Sequence, residues 1–373
     1  MSEDDVLSDD ALPKELTLLG TYCWPQGETT QTLEHIYEKL KSNIPWISSD
    51  DERSEQKLHT FKEQSAIDAT HKRLCGILFK CLDATFSDWI ADEAASGARA
   101  FVHAPVDRTL LQDWASDRGY TIVEDIDEFD PSQDADVLVI PHFESQLLRR
   151  DSELYNMRDL LDRIAKSETK LIVGCNSWAW RYLRSVTSID LVFERPCTTP
   201  AFDALALAAL LKPVLAESGD PSKYMSVETD DPIFEINSDG ELSDPYFAKL
   251  AKRSLGLPWV AIEMFFDDTV SSKDDDGERD DDRTWLKFST QPKLPSENTA
   301  QLCMALQNLL IHGPSDKEKL SQICPKDAPT YLWTALRRSG FIEMDGDIAH
   351  IATSHYPAIR SALGTAGLNL DKL

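Results

Sequence analysis

The sequence predicts an α/β fold built on a five-stranded parallel sheet with flanking helices, and two patterns predict it. Over residues 98–194, short unbroken runs of Val, Ile, Leu and Phe alternate with segments of helical periodicity. A strand covered on both faces loses the in–out alternation of a half-exposed sheet, so such runs between amphipathic helices mean a parallel sheet. Five runs qualify, at 101–104, 120–123, 137–140, 171–173 and 189–193. Helices are expected between them: one over 109–117, one carrying Leu154, Met157, Leu160, Leu161 and Ile164, and one carrying Trp178, Tyr182 and Leu183.

The flanking segments follow the same reading. Leu74, Ile77, Leu78, Cys81, Leu82, Phe86, Trp89 and Ile90 recur at three- and four-residue steps, which predicts a core-packing helix stopped by Gly97. A shorter helix is expected over 31–41, after an acidic tail. Thr199 followed by Pro200 reads as a cap and first turn for a helix running to Glu217. Helices over 246–255 and 258–266 and the acidic loop 273–283 make residues 221–295 a helical lid-like region. From Thr299 three helical segments (through Leu302 to Leu310, over 316–323 and over 330–338) precede two short strands joined at an Asp-Gly turn near Asp345 and Gly346. Three helices and a hairpin are the order of a winged helix. The expected divisions are 1–60, 61–220, 221–295 and 296–373.

Composition narrows the function classes. The formal net charge of −27 repels nucleic-acid phosphates and anionic membranes at long range. The N-terminal segment is acidic and lacks the basic-then-apolar order of a signal peptide, and no apolar run approaches the roughly 20 residues that span a bilayer. The 7 cysteines are scattered without a C-x-x-C pair. That usage fits free thiols in a reducing, cytoplasmic setting and does not fit a clustered zinc site.

The strand ends carry the candidate chemistry. The run at 137–140 leads into Pro141-His142-Phe143-Glu144, and the run at 171–173 into Gly174-Cys175-Asn176-Ser177. Residues 98–194 thereby resemble the core of AAA-like P-loop ATPases. There, the first strand enters the phosphate loop, the third carries the Walker B acid and the fourth ends in a sensor Asn. With the trailing winged helix, the stretches around "LVIPHFE", "VGCNSWAWRYL" and "YFAKLAKRSLGLPWVA" resemble a bacterial P-loop ATPase-related family with degenerate Walker motifs, over roughly residues 98–370. The resemblance implies a catalytic-glutamate position at Glu144 and a sensor position at Asn176.

The departures from that pattern weigh more. A phosphate loop needs glycines so that successive N–H groups can curl around the phosphates, a Lys for the β and γ oxygens and a Ser/Thr for Mg²⁺. After the first strand this chain reads Ala104-Pro105-Val106-Asp107-Arg108-Thr109. Glycine is missing, Pro105 removes a donor, Asp107 adds repulsion, and Arg108-Thr109 only echoes a Lys-Thr pair. The Walker B aspartate position falls on Pro141 or His142, neither a hard Mg²⁺ ligand. The segment Gly20 to Thr29 has the wrong spacing and Glu28 where Lys belongs. The acidic loop fails as a calcium loop because Arg283 stands where the closing Glu is required.

His103 and His142 end neighbouring strands, and with Glu144 they could form a small metal or acid–base site; polar strand ends satisfied locally is the preferred reading. Arg149, Arg150, Arg181 and Arg184 are candidate partner-binding residues near the ends of the third and fourth strands. Residues 290–373 hold eight Lys/Arg and eight Asp/Glu, so the expected winged helix is neutral. Its third helix offers Arg337 and Arg338, and its turn offers Asp345 and Asp347. That balance favours a protein partner over DNA. No catalytic residue, cofactor or metal ion is therefore expected. The expected function is that of a non-catalytic, ATPase-like regulatory or scaffold protein. The alternatives are a DNA-binding winged-helix regulator and a nucleotide-binding ATPase with a non-standard loop.

Overall fold

A computed structural model describes residues 6–25, 61–107, 109–124, 129, 135–146, 151–270, 283–316, 318–319 and 331–373. The helix expected over 31–41, most of the acidic loop and most of the helix expected over 316–323 lie outside these residues.

The apolar stripe beginning near Leu74 belongs to a helix of 31 residues, α1 (Phe61–Ala91). Leu74, Leu78, Cys81 and Leu82 are fully buried along it. The chain then enters β2 (Ala98–His103), after an edge strand β1 (Thr17–Leu18) near the N-terminus. The alternation continues as α2 (Leu110–Arg118), β3 (Thr121–Ile122), β4 (Val137–Ile140), α3 (Asp151–Ala165), β5 (Lys170–Asn176) and α4 (Ser177–Val186). Next come the one-turn α5 (Ile189–Val192), β6 (Cys197–Thr198) and α6 (Ala204–Ser218). The sheet has six strands in the order β1-β6-β2-β5-β4-β3. Five are parallel to one another, and β1 pairs antiparallel with β6 at the edge.

Expectations for the end of this domain need correction. Within the run expected as a strand over 189–193, Ile189–Val192 form helix α5, and Leu191, which a central strand would bury, is 84% exposed. The fifth parallel strand is β6, reached after Arg195 takes a left-handed backbone (φ 52°) just before Pro196. Likewise α6 begins later than Thr199. Its cap is Asp203, whose Oδ1 accepts the Ala206 N–H at 2.9 Å.

Beyond α6, β7 (Tyr224–Ser226) is followed by α7 (Tyr246–Arg253), α8 (Pro258–Asp267), β8 (Thr269–Val270) and β9 (Thr284–Leu286). The region expected to be helical thus holds a small three-stranded sheet, β7-β9-β8. Short strands of this kind leave no periodicity to read. An aromatic cluster of Tyr224, Phe234, Tyr246, Phe247, Phe265 and Phe288 joins this sheet to α7 and α8.

The C-terminal segment contains α9 (Thr299–His312), α10 (Tyr331–Arg338), the hairpin β10 (Ile342–Asp345) with β11 (Ile348–Ile351), and α11 (Tyr356–Thr365). Ser315 adds a bridge to Ala349 beside the hairpin. This segment packs through α9 against α4 and through residues 353–355 against α8. Among the described residues, no helix is long and apolar enough to cross a membrane.

Candidate functional site

The sheet order fixes where the site can lie. β5 runs between β2 and β4, while the connections leave β2 and β5 toward opposite sides. In such a sheet the crevice at the carboxyl ends of the strands is the natural ligand position. His103 ends β2, Pro141 to Glu144 follow β4, and Asn176 ends β5. All of them but Phe143, which is buried in the core, line one cavity of about 340 Å³. Gly174 lets β4 and β5 close here, because a Cβ at this position would stand 2.3 Å from the Pro141 carbonyl oxygen.

The turn from β2 into α2 is built around a buried carboxyl. Asp107 N–H donates to Ala104 O at 3.0 Å, closing a tight turn. Its side chain is 3% exposed, and Oδ1 accepts the Leu110 N–H at 3.4 Å at the start of α2. A helix N-terminus is a ready anion site because its first N–H groups lack internal partners. Here an internal carboxyl takes that place. Burial raises the Asp107 pKa to about 8, against the opposing pull of the Leu110 N–H. Pro105 lines the cavity, Thr109 is exposed just before α2, and Arg108 lies outside the described residues.

Glu144 is the hub of the far wall. It is buried, its Oε2 accepts the Asn176 N–H at 3.1 Å, and its Oε1 stands 3.6 Å from His142 Nδ1 and 4.0 Å from His103 Nε2. Burial acts to raise the Glu144 pKa, yet the contact with His142 and the two imidazole charges outweigh it and hold the carboxyl below its ordinary value. Burial depresses His103, whereas on His142 the attraction of Glu144 overcomes burial and raises the pKa. Glu144 Oε1 thus faces both imidazoles, with His142 the nearer at 3.6 Å. Asn176 is committed twice: Oδ1 caps α4 by accepting the Ala179 N–H at 2.8 Å, and Nδ2 donates to Ile311 O at 3.3 Å.

That last bond belongs to a seam with the C-terminal segment. Ser177 Oγ donates to Asp371 Oδ2 at 2.6 Å, Trp178 Nε1 to the Tyr356 hydroxyl at 3.0 Å, and Tyr356 to Asp371 Oδ2 at 3.0 Å. His312, Gly313, Pro314 and Lys319 complete the cavity wall. Lys319 Nζ donates to His312 O at 3.1 Å, and burial lowers its pKa. Sequence reasoning missed His312, Lys319 and Asp371, which reach the strand ends from more than a hundred residues away without a local motif.

The arginines fall elsewhere. Arg181 and Arg184 line a second cavity of about 470 Å³ between α4 and the C-terminal segment, and Arg184 Nε pairs with Asp190 Oδ2 at 2.8 Å. Arg149 and Arg150 lie outside the described residues. Arg337 and Arg338 are exposed at the end of α10.

No family model matches this chain, and no curated protein matches it. Among solved structures, the Aeropyrum pernix ORC1 protein in complex with DNA is 12% identical, with 81% of this chain and 92% of that one covered at a TM-score of 0.31. The Aeropyrum pernix ORC2 protein in ADPNP–ADP complexes is 11% identical, with 86% and 97% covered at a TM-score of 0.27.

A P-loop ATPase core implies Mg²⁺ and a nucleoside triphosphate, and the residues present do not fit them. The turn 104–109 offers neither glycine nor lysine, its Asp107 is buried, and Pro141 and His142 after β4 are not hard Mg²⁺ ligands.

Proposed function

We propose that this chain is a non-catalytic, P-loop-ATPase-like regulatory or scaffold protein that works through protein contacts, with its C-terminal segment a winged helix. The observation that carries the reading is Asp107, buried at the start of α2 where an ATPase would hold phosphate. The sheet order supports the ATPase-like half, since it sets Glu144 and Asn176 side by side at the ends of β4 and β5. Asn176 is spent on capping α4 and on bridging to the C-terminal segment, so the sensor-like position serves architecture.

Two features support protein contacts. The hairpin turn exposes Asp345 and Asp347, which repel a phosphate backbone. Tyr155 and Leu191 are 74% and 84% exposed on α3 and α5, helices that pack against each other. Exposed aromatic and aliphatic anchors of this type suit a protein partner.

Steady-state phosphate release from ATP by the full chain, with Mg²⁺ in excess, tests the proposal. Release indistinguishable from the protein-free rate is expected. Multiple turnovers at rates of the order of 1 per second, within the ordinary enzyme range, would show a working site and end the non-catalytic reading.

A further inference from the structure

We propose that His103, His142 and Glu144 form a binding site for one divalent transition-metal ion, for which Zn²⁺ is the reference probe. One potential ligand atom from each of the three lies within 4.8 Å of those of the other two. They come from the ends of two strands that β5 separates, so the sheet order is what gathers them.

The hydrogen bonding of His103 favours this role. Its Nδ1 lies 2.9 Å from the Ala104 carbonyl oxygen, which can only accept. The Nδ1 proton is thereby fixed, and in the neutral ring Nε2 carries a lone pair. That lone pair faces Glu144 Oε1, another acceptor, at 4.0 Å. Two acceptors opposed in a buried space call for a cation between them. Metal-bound histidines characteristically donate the second ring N–H to a backbone carbonyl, as His103 does. Glu144 is held from behind by the Asn176 N–H on Oε2, leaving Oε1 toward the imidazoles.

A second observation is independent of the three. Asp107 Oδ2 is buried without a hydrogen-bond partner among the described residues, and Asp107 lines the same cavity. A metal-bound water in that cavity would give this orphaned carboxyl oxygen a hydrogen-bond partner. The donor set of two imidazoles and one carboxylate selects borderline transition metals over Mg²⁺ and Ca²⁺, which require oxygen. Three protein ligands leave a fourth position open toward the cavity. Ligands at about 2.1 Å from a tetrahedral Zn²⁺ stand about 3.4 Å apart. The observed 3.6 Å and 4.0 Å contacts to Glu144 close to this by small shifts. His142, 34% exposed at the rim, has room to supply them.

The test is calorimetric titration of the metal-stripped full chain with Zn²⁺ in excess Mg²⁺, which occupies oxygen-only carboxylate sites. One site per chain with a Kd in the micromolar range or tighter is expected. His103→Gln and His142→Gln should each weaken it by at least about tenfold, since even outer-shell losses cost about that much. Co²⁺ should give visible d–d bands without thiolate charge transfer, lost in both variants. Absence of saturable binding, equal binding by His142→Gln, or a thiolate signature would overturn the proposal. Should His103→Gln fail to fold, the His142→Gln result decides, because that ring sits at the rim.

Discussion

Asp371 shows how much one side chain can hold. Its carboxylate is fully buried, accepts from Ser177 and Tyr356, and pairs with Arg360 Nε at 2.9 Å, while Arg360 stacks 4.2 Å from the Trp24 ring. Removing one partner of a buried ion pair leaves the rest unsatisfied, typically at about 3–5 kcal/mol. Asp371→Ala is expected to lower the unfolding free energy by about 3 kcal/mol, toward the low end because Arg360 keeps some exposure. Asp371→Asn, which preserves several hydrogen bonds, should cost about 1 kcal/mol. Denaturant unfolding followed by tryptophan fluorescence reads both. A loss below about 1 kcal/mol in the alanine variant would show that the seam carries little stability. At this scale the sequence spoke unevenly. Glu144, Asn176 and the histidines were legible because they end apolar strands. Asp107 was visible only as an added charge, since its burial depends on how the turn packs. Asp371, in a polar stretch far from the sheet, gave no signal.

The elements were legible where their periodicity was long. The stripe of α1 and the unbroken runs of β2, β4 and β5 are dictated by burial on both faces, and the fold follows them closely. Short elements defeated the same logic. A two-residue strand such as β6 has no period, and the apolar run at 189–193 looks like a strand until its exposed leucine shows a single helical turn. Docking between elements was also hidden, and Glu263 is one consequence. It projects from α8, lies 3.5 Å from His71 on α1, and sits near the charge of Glu343 on the hairpin. Burial first, then the neighbouring carboxylates of Asp267, Glu343 and Asp68, raise its pKa to about 7. The native state therefore holds this proton more tightly than the unfolded chain. The stability contributed by that proton is complete below pH of about 4.5, the ordinary carboxyl value, and is lost as pH rises through about 7. Glu263→Gln, permanently neutral, should flatten the fall in Tm across that window while leaving the acid side little changed. Parallel pH profiles of Tm for the two proteins would contradict the assignment.

For the whole molecule, charge and topology point in different directions, and the account has to satisfy both. A net charge of −27 and an exposed acidic hairpin turn work against nucleic acid, while the parallel sheet builds a crevice of the kind that binds nucleotides. The turn after β2 bears on both, since the crevice is formed but the start of α2 beside it is met by the buried carboxyl of Asp107. The sheet was readable from hydrophobic pattern, and the missing glycines and lysine from the turn's composition. The closing of the crevice by His312, Gly313, Pro314 and Lys319 required the tertiary structure. The central claim, that this turn does not hold phosphate, is tested most directly by titration calorimetry of the full chain with ATP and Mg²⁺. The account predicts no saturable heat up to about 1 mM nucleotide, a ceiling of about −4 kcal/mol in binding free energy. A Kd in the micromolar range, about −8 kcal/mol, would contradict it.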